Sequence, residues 1–192
     1  MMSVWHRPLV PDQHLIRRRS TDELTAEEIV ALRDLLWAAF PVGDEGFTED
    51  DWQHALGGQH FVLEKDGVIA SHASVVEREL HVADRPIRTG YVEAVATAPG
   101  VQRQGLGSAV MREATAYIRE AFELGALGTG EHSFYERLGW RTWQGPTYVR
   151  TPDGPRRTPD DDGYILVLTT PTSPQIELSA PISCEWRPGD VW

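Results

Sequence analysis

One cysteine, Cys184, is the only thiol in this 192-residue sequence. That closes off an intramolecular disulfide framework and leaves no metal-ligand spacing. The lone thiol reads as a small strand residue, with a nucleophile as the sharper alternative. Long apolar runs are missing too: no window approaches the roughly 20 residues needed to cross a bilayer. Residues 1–13 contain Trp5, His6, Arg7, Pro8 and Pro11 and lack the continuous apolar stretch of a secretion signal. The expectation is therefore a cytoplasmic protein without a membrane partner. Positive charge is scarce, with 18 basic against 29 acidic residues and a net charge of −11. A nucleic-acid partner is disfavoured, because it would call for a basic face. The acidic surplus suits a cationic substrate, whose approach an acidic cleft accelerates, although solubility alone would also explain it. No internal repeat or low-complexity tract interrupts the chain.

What is present reads as one globular unit. The apolar share of 41% and the chain length support a single core, assigned to residues 14–192 behind an N-terminal arm at 1–13. Residues 15–19 read as a first strand. Thr25 and Glu28 form a capping box ahead of an amphipathic helix carrying Ile29, Leu32, Leu36 and Ala39, closed by Pro41. A short helix begins at Thr48 and stops at Gly57 and Gly58. Lys65, Asp66 and Gly67 turn one strand into the next, and a second turn at 83–86 leads into the strand 87–97. Leu106, Val110, Ala114, Tyr117, Ala121 and Leu124 keep helical spacing up to Gly125. A short strand at 126–129, a brief helix at 134–138 and a strand at 165–168 follow. The pattern predicts an α/β fold: a mixed sheet flanked by helices.

The chemistry concentrates in YVEAVATAPGVQRQGLGSAV. A strand, a Pro-Gly break and a helix enclose Gln102, Gly105 and Gly107. A diphosphate needs convergent N–H donors, and the first turn of a helix offers unpaired amides with partial positive charge. Glycines at 105 and 107 let phosphate oxygens approach the backbone, and Arg103 adds a possible ionic contact. The spacing is neither that of a dinucleotide fold nor that of a triphosphate loop.

This element resembles the Gln/Arg-x-x-Gly-x-Gly/Ala loop of the GCN5-related N-acetyltransferase (GNAT) superfamily, and FYERLGW at 134–140 resembles its second motif. A narrower resemblance, carried by FTEDDWQHALGG, GYVEAVA, YERLGW with WQGPT, RTPDDDG and the final EWRPGDVW, is to the aminoglycoside 2'-N-acetyltransferases. It implies the GNAT fold, with a mixed, mostly antiparallel sheet. It also implies acetyl-CoA as donor, an aminoglycoside as cationic acceptor, capacity for antibiotic resistance, no metal and a homodimer. By position it makes Glu93 the catalytic carboxylate and Tyr135 the tyrosine beside the departing thiol. Val95, Thr97, Gln102, Arg103, Gln104, Gly105, Gly107 and Ser108 become coenzyme contacts. Asp44, Asp51, Glu93, Asp161, Asp190 and the carboxylate of Trp192 become acceptor contacts, with Asp44 matching only across the two extra residues in GDEGFTE.

Independent readings stand beside these. Strand alternation puts Glu93, Val95 and Thr97 on one face. Asp51 could simply complete the cap begun by Thr48, residues 160–162 could be a solvated acidic turn, and Tyr135 could be a core aromatic. His132 is a candidate proton relay. Two rival functions also fit: an acetyltransferase for another polyamine or a protein N-terminus, and an acetyl-CoA-binding module without catalysis.

Overall fold

The structure, a computed structural model, describes residues 15–40 and 46–192. The arm at 1–13, Asp44 and Pro41 lie outside the described residues. Local signals set the first half of the chain. Strand β1 (Leu15–Ser20) leads to helix α1 (Ala26–Ala39), where the Glu28 amide donates to the Thr25 hydroxyl at 3.2 Å and the Thr25 amide to the Glu28 carboxylate at 2.9 Å. Helix α2 (Glu49–Ala55) begins with the same reciprocal cap, in which the Asp51 carboxylate accepts from the Thr48 amide at 2.8 Å. Two tight turns then join β2 (Gln59–Lys65) to β3 (Val68–Val82) and β3 to β4 (Arg85–Thr97). Their central residues, Asp66 with Gly67 and Ala83 with Asp84, all have positive φ, the geometry that matches the twist of a hairpin.

Among the described residues the strands form one ten-stranded sheet. β1 pairs with β2, β2 with the first half of β3, and β4 runs antiparallel along β3. β5 (Leu124–Gly128) joins β4 in parallel, followed by β9 (Ile165–Thr169) and the two-residue β6 (Arg141–Thr142). At the far end of β3, β10 (Ile182–Glu185) is wedged antiparallel to β3 and parallel to β7 (Thr147–Thr151), whose outer neighbour is β8 (Gly154–Arg157). The sheet is thus mixed and mostly antiparallel, as expected.

Alternation along β2 assigns the two faces. Phe61 and Leu63 pack with Leu106, Val110, Met111, Ala114 and Ile118 of helix α3 (Leu106–Ala121). Val62 joins Leu32, Leu35, Leu36 and Trp52 of α1 and α2. Each fully buried aliphatic side chain is worth about 1.5–3 kcal/mol before entropy is subtracted. A third cluster holds Trp143, Ile182, Cys184 and Trp192 at the β10 end. Cys184 is a buried strand residue whose thiol burial pushes up to about 11, far from a reactive thiolate.

One boundary differs from the sequence reading. Helix α3 ends at Ala121, and Leu124 and Gly125, read as its last turn and stop, open β5 instead. The run LGALG is buried over its first four residues. A short, wholly buried strand has no alternation, so it continues a helical stripe without a visible break.

Candidate active site

The site begins with an irregularity in β4. His72 pairs with Ala96 and Ser74 with Glu93, so three steps on β4 match two on β3. The extra residue makes a β-bulge with Ala94 at φ 50°. Val92 and Val95 therefore both face the α3 cluster, while Ala94 and Ala96 face α1 and α2. This overturns the expectation that Glu93, Val95 and Thr97 share a face: Glu93 lies opposite Val92, and the bulge returns Val95 to the α3 side.

Next to the bulge, β4 and β5 part. Their parallel pairing covers only Thr89 to Tyr91 against Leu124 to Ala126. A cavity of about 310 Å³ lies in the gap, lined by Glu93, Ala94 and Val95 on one side and Leu127 and Gly128 on the other. Helix α4 (His132–Glu136) adds Phe134 and Tyr135 to its wall. Tyr135 is also a buried core aromatic, edge-on to Phe134 at 4.8 Å between centroids, and burial raises the pKa of its phenol well above the usual range. His132 bonds Thr142 at 3.0 Å and lines none of the cavities described here.

Toward α3 the gap continues into a cavity of about 370 Å³, sharing Val95, Glu131 and Phe134. Thr97, Gln102, Arg103, Gly105, Gly107 and Ser108 line it. Gly105 caps α3 in the left-handed region, φ 84°, and the first helical bond runs from the Ala109 amide to the Gly105 carbonyl at 3.0 Å. The amides between them lack an intrahelical acceptor, and no side chain caps them. A Cβ at Gly107 would lie 3.0 Å from the Thr97 hydroxyl. A cradle of unpaired amides without side chains at 105 and 107 suits a diphosphate. Gln104 does not line this cavity; its carbonyl accepts from Lys65 Nζ at 2.7 Å.

On the opposite side the gap opens into a smaller acidic cavity of about 190 Å³, lined by Asp51, Glu93, Arg187, Asp190 and Trp192. The Glu93 side chain is 14% exposed and accepts from Arg187 Nη1 at 2.6 Å. Burial raises its pKa, and Arg187 pulls in the opposite direction without cancelling the effect. Arg187 also donates to the Asp190 carbonyl at 2.8 Å, and the Trp192 indole donates to Thr158 at 3.1 Å. Asp161 does not line this cavity. Burial, then the charge of Asp190 nearby, raises the Asp161 pKa, while its hydrogen bond to Thr158 opposes both. Its neighbour Asp162 is structural, accepting from the Thr147 amide at 3.0 Å and from Arg157, which lowers its pKa to about 2. Asp51 serves both readings, as cap and as cavity wall.

Arg187 is the residue that sequence reasoning missed. Its signal was its place in EWRPGDVW, a lone cation among acids and tryptophans. Among the described residues, no group of three or more His, Cys, Asp or Glu could hold a metal ion. No helix there is long and apolar enough to cross a membrane.

A parallel strand pair that splays beside a glycine-turned helix start, with a nearly buried carboxylate at the opening, defines the acetyltransferase class. Residues 20–143 match the family described as an acetyltransferase (GNAT) domain. Over 183 residues the chain is 41% identical to the aminoglycoside 2'-N-acetyltransferase of Mycolicibacterium fortuitum, covering 93% of this chain and 92% of that protein. The chain therefore belongs to the aminoglycoside 2'-N-acetyltransferase family of the GNAT acetyltransferases. Solved structures agree in fold. A GNAT family N-acetyltransferase from Escherichia coli, in complex with CoA, superposes with a TM-score of 0.63 at 15% identity over 93% of each chain. A GNAT family acetyltransferase from Brucella melitensis, in complex with acetyl-CoA, gives 0.57 at 18% identity, covering 86% of this chain and 95% of that one.

Proposed function

We propose that this protein transfers the acetyl group of acetyl-CoA to the 2'-amine of an aminoglycoside, acting in the cytoplasm as a homodimer. The observation that carries the reading is one continuous path: the cradle at 105–107, the strand gap and the acidic cavity adjoin, and Glu93 lines the last two. Backbone amides at one end suit the coenzyme's diphosphate, and carboxylates at the other suit a polycation. The name of the Mycolicibacterium relative supports the choice of acceptor.

In this reading the neutral 2'-amine attacks the thioester carbonyl. The nitrogen–carbon bond forms, the carbon–sulfur bond breaks, and coenzyme A leaves as the thiolate. A carboxylate of ordinary pKa about 4.3 deprotonates an alkylammonium poorly. Two effects narrow the difference here. Burial raises the Glu93 pKa, and neighbouring ammonium groups on the substrate lower the pKa of the attacking amine. Glu93 then receives the proton through a bridging water. Tyr135, whose phenol burial keeps protonated, stabilises the departing sulfur by donating a hydrogen bond. The developing oxyanion meets backbone N–H groups near Val95.

The test is thiol release from acetyl-CoA across a panel of aminoglycosides and polyamines, with NMR of the product. The expected result is turnover on aminoglycosides and an acetyl group on the 2'-nitrogen. Equal activity on acceptors lacking a 2'-amine would remove the regiochemistry, and turnover on polyamines alone would change the acceptor class.

A further inference from the structure

A β-bulge disturbs the ladder around it, and a buried carbonyl without a partner is costly. Three buried side chains of β3 answer this by reaching across to β4. The Ser74 hydroxyl bonds the Glu93 carbonyl at 3.3 Å, His72 Nδ1 the Ala94 carbonyl at 2.8 Å, and the Ser71 hydroxyl the Ala96 carbonyl at 2.8 Å. The middle contact is the end of a longer chain. His72 Nε2 lies 3.0 Å from His60 Nδ1, and His60 Nε2 lies 2.9 Å from the Thr21 hydroxyl. That hydroxyl accepts from the Gly57 amide at 2.8 Å.

Every direction in this chain is fixed. A carbonyl only accepts, so His72 Nδ1 carries a proton and its neutral ring accepts at Nε2. His60 must then donate from Nδ1 and accept at Nε2 from Thr21. The run Gly57, Thr21, His60, His72, Ala94 donates one way throughout and locks both imidazoles in the Nδ1–H form. Burial keeps both rings neutral, lowering their pKa values to about 4 and about 3. At its end stands a left-handed alanine, a strained conformation that persists only where its surroundings over-determine it.

We propose that His72, oriented through His60, is a positioning residue for acetyl transfer: by holding the Ala94 carbonyl it fixes the bulge that aims the Glu93 side chain and the Val95 amide. This rests on the reading that transfer takes place in the gap between β4 and β5. Without the imidazole the bulge relaxes, and a local slip of one residue reverses which side chains face the gap. A pair that merely filled the core would need neither a fixed tautomer nor an acceptor at Ala94.

The experiment uses the full chain and measures imidazole tautomers by two-bond proton–nitrogen correlation, thermal unfolding, and kcat and KM for each substrate. The expected result is Nδ1–H at both rings. In addition, His72→Leu should lower kcat about tenfold or more with each KM changed less than about threefold, since small misplacements of reacting groups act on turnover. His72→Gln, whose amide can donate to the same carbonyl, should recover most of that loss. Thr21→Val, which leaves β4 untouched, removes the donor to His60 Nε2 and so loosens the His60 ring without changing its tautomer; it should lower kcat about threefold. An Nε2–H tautomer at either ring, or a folded His72→Leu variant with kcat near wild type, overturns the proposal. If His72→Leu fails to fold, Thr21→Val decides, and unchanged kcat overturns it. Failure of the acetyl-transfer reading is distinct, because the wild type would then release no thiol. In that case the Val95 amide shift on adding acetyl-CoA decides, and identical shifts with and without Thr21→Val overturn the positioning role.

Discussion

At Glu93 two influences oppose each other, and kinetics can separate them. Burial raises its pKa and Arg187 lowers it, so the acid limb of kcat/KM should lie above the ordinary carboxylate value of about 4.3. Arg187→Gln removes the opposing charge, and the limb should move to still higher pH; an unmoved limb would disconnect Arg187 from the reaction. The same substitution strands a nearly buried carboxylate, at a cost of about 1–3 kcal/mol, visible as a lower unfolding temperature. Glu93→Gln should abolish the limb and lower kcat about a hundredfold or more while leaving acetyl-CoA affinity nearly unchanged. The carboxylate was legible in the sequence because GYVEAVA carries it. Its cationic partner was not, because Arg187 lies 94 positions away and only the folded path of β10 brings the two together.

Within single elements, local chemistry was the part that could be read. The caps at Thr25 and Thr48, the two left-handed turns and the start of α3 all depend on residues within a few positions of each other. The bulge was invisible for the opposite reason: nothing in VEAVA announces an extra residue, since its stabilising partners, Ser71, His72 and Ser74, belong to another strand. At the head of α3, Gly107→Val should raise the acetyl-CoA dissociation constant about tenfold or more. The first added carbon already meets Thr97 at 3.0 Å, and the remainder would occupy the space beside unpaired amides. Equilibrium binding checks this, and unchanged affinity would move the diphosphate elsewhere.

Over the whole molecule, the net charge of −11 and the acidic cavity predict steering of a polycation. Raising ionic strength from about 0.01 to 0.15 M shortens the screening length from about 30 to 8 Å. On stopped-flow or steady-state measurement, kcat/KM for an aminoglycoside should fall about tenfold, and that for a singly charged amine much less. Acid should also weaken the fold. His60 titrates near 6.5 when unfolded and at about 4 when folded, so the unfolded chain binds the extra proton. Its contribution is fully present above about pH 6.5 and is lost as pH falls toward 4, on the order of 3 kcal/mol. Thermal unfolding against pH should show that slope together with one of the same sign from His72, which burial lowers further, to about 3; His60→Gln should shrink the dependence by the His60 share and leave the His72 share. The wedge of β10 between β3 and β7, which closes this half of the molecule, had no local signal because both its partners are distant in the chain.

The uncapped start of α3 has one further consequence, for how such a protein can change over generations. Its donors are main-chain amides, which nearly every substitution leaves in place, whereas the acidic cavity proposed for the acceptor is walled by individual side chains such as Asp51, Arg187 and Asp190. On the proposed reading, single replacements there would redraw the range of amines accepted without disturbing the amides offered to the acetyl donor, so acceptor preference would drift while the chemistry is inherited intact.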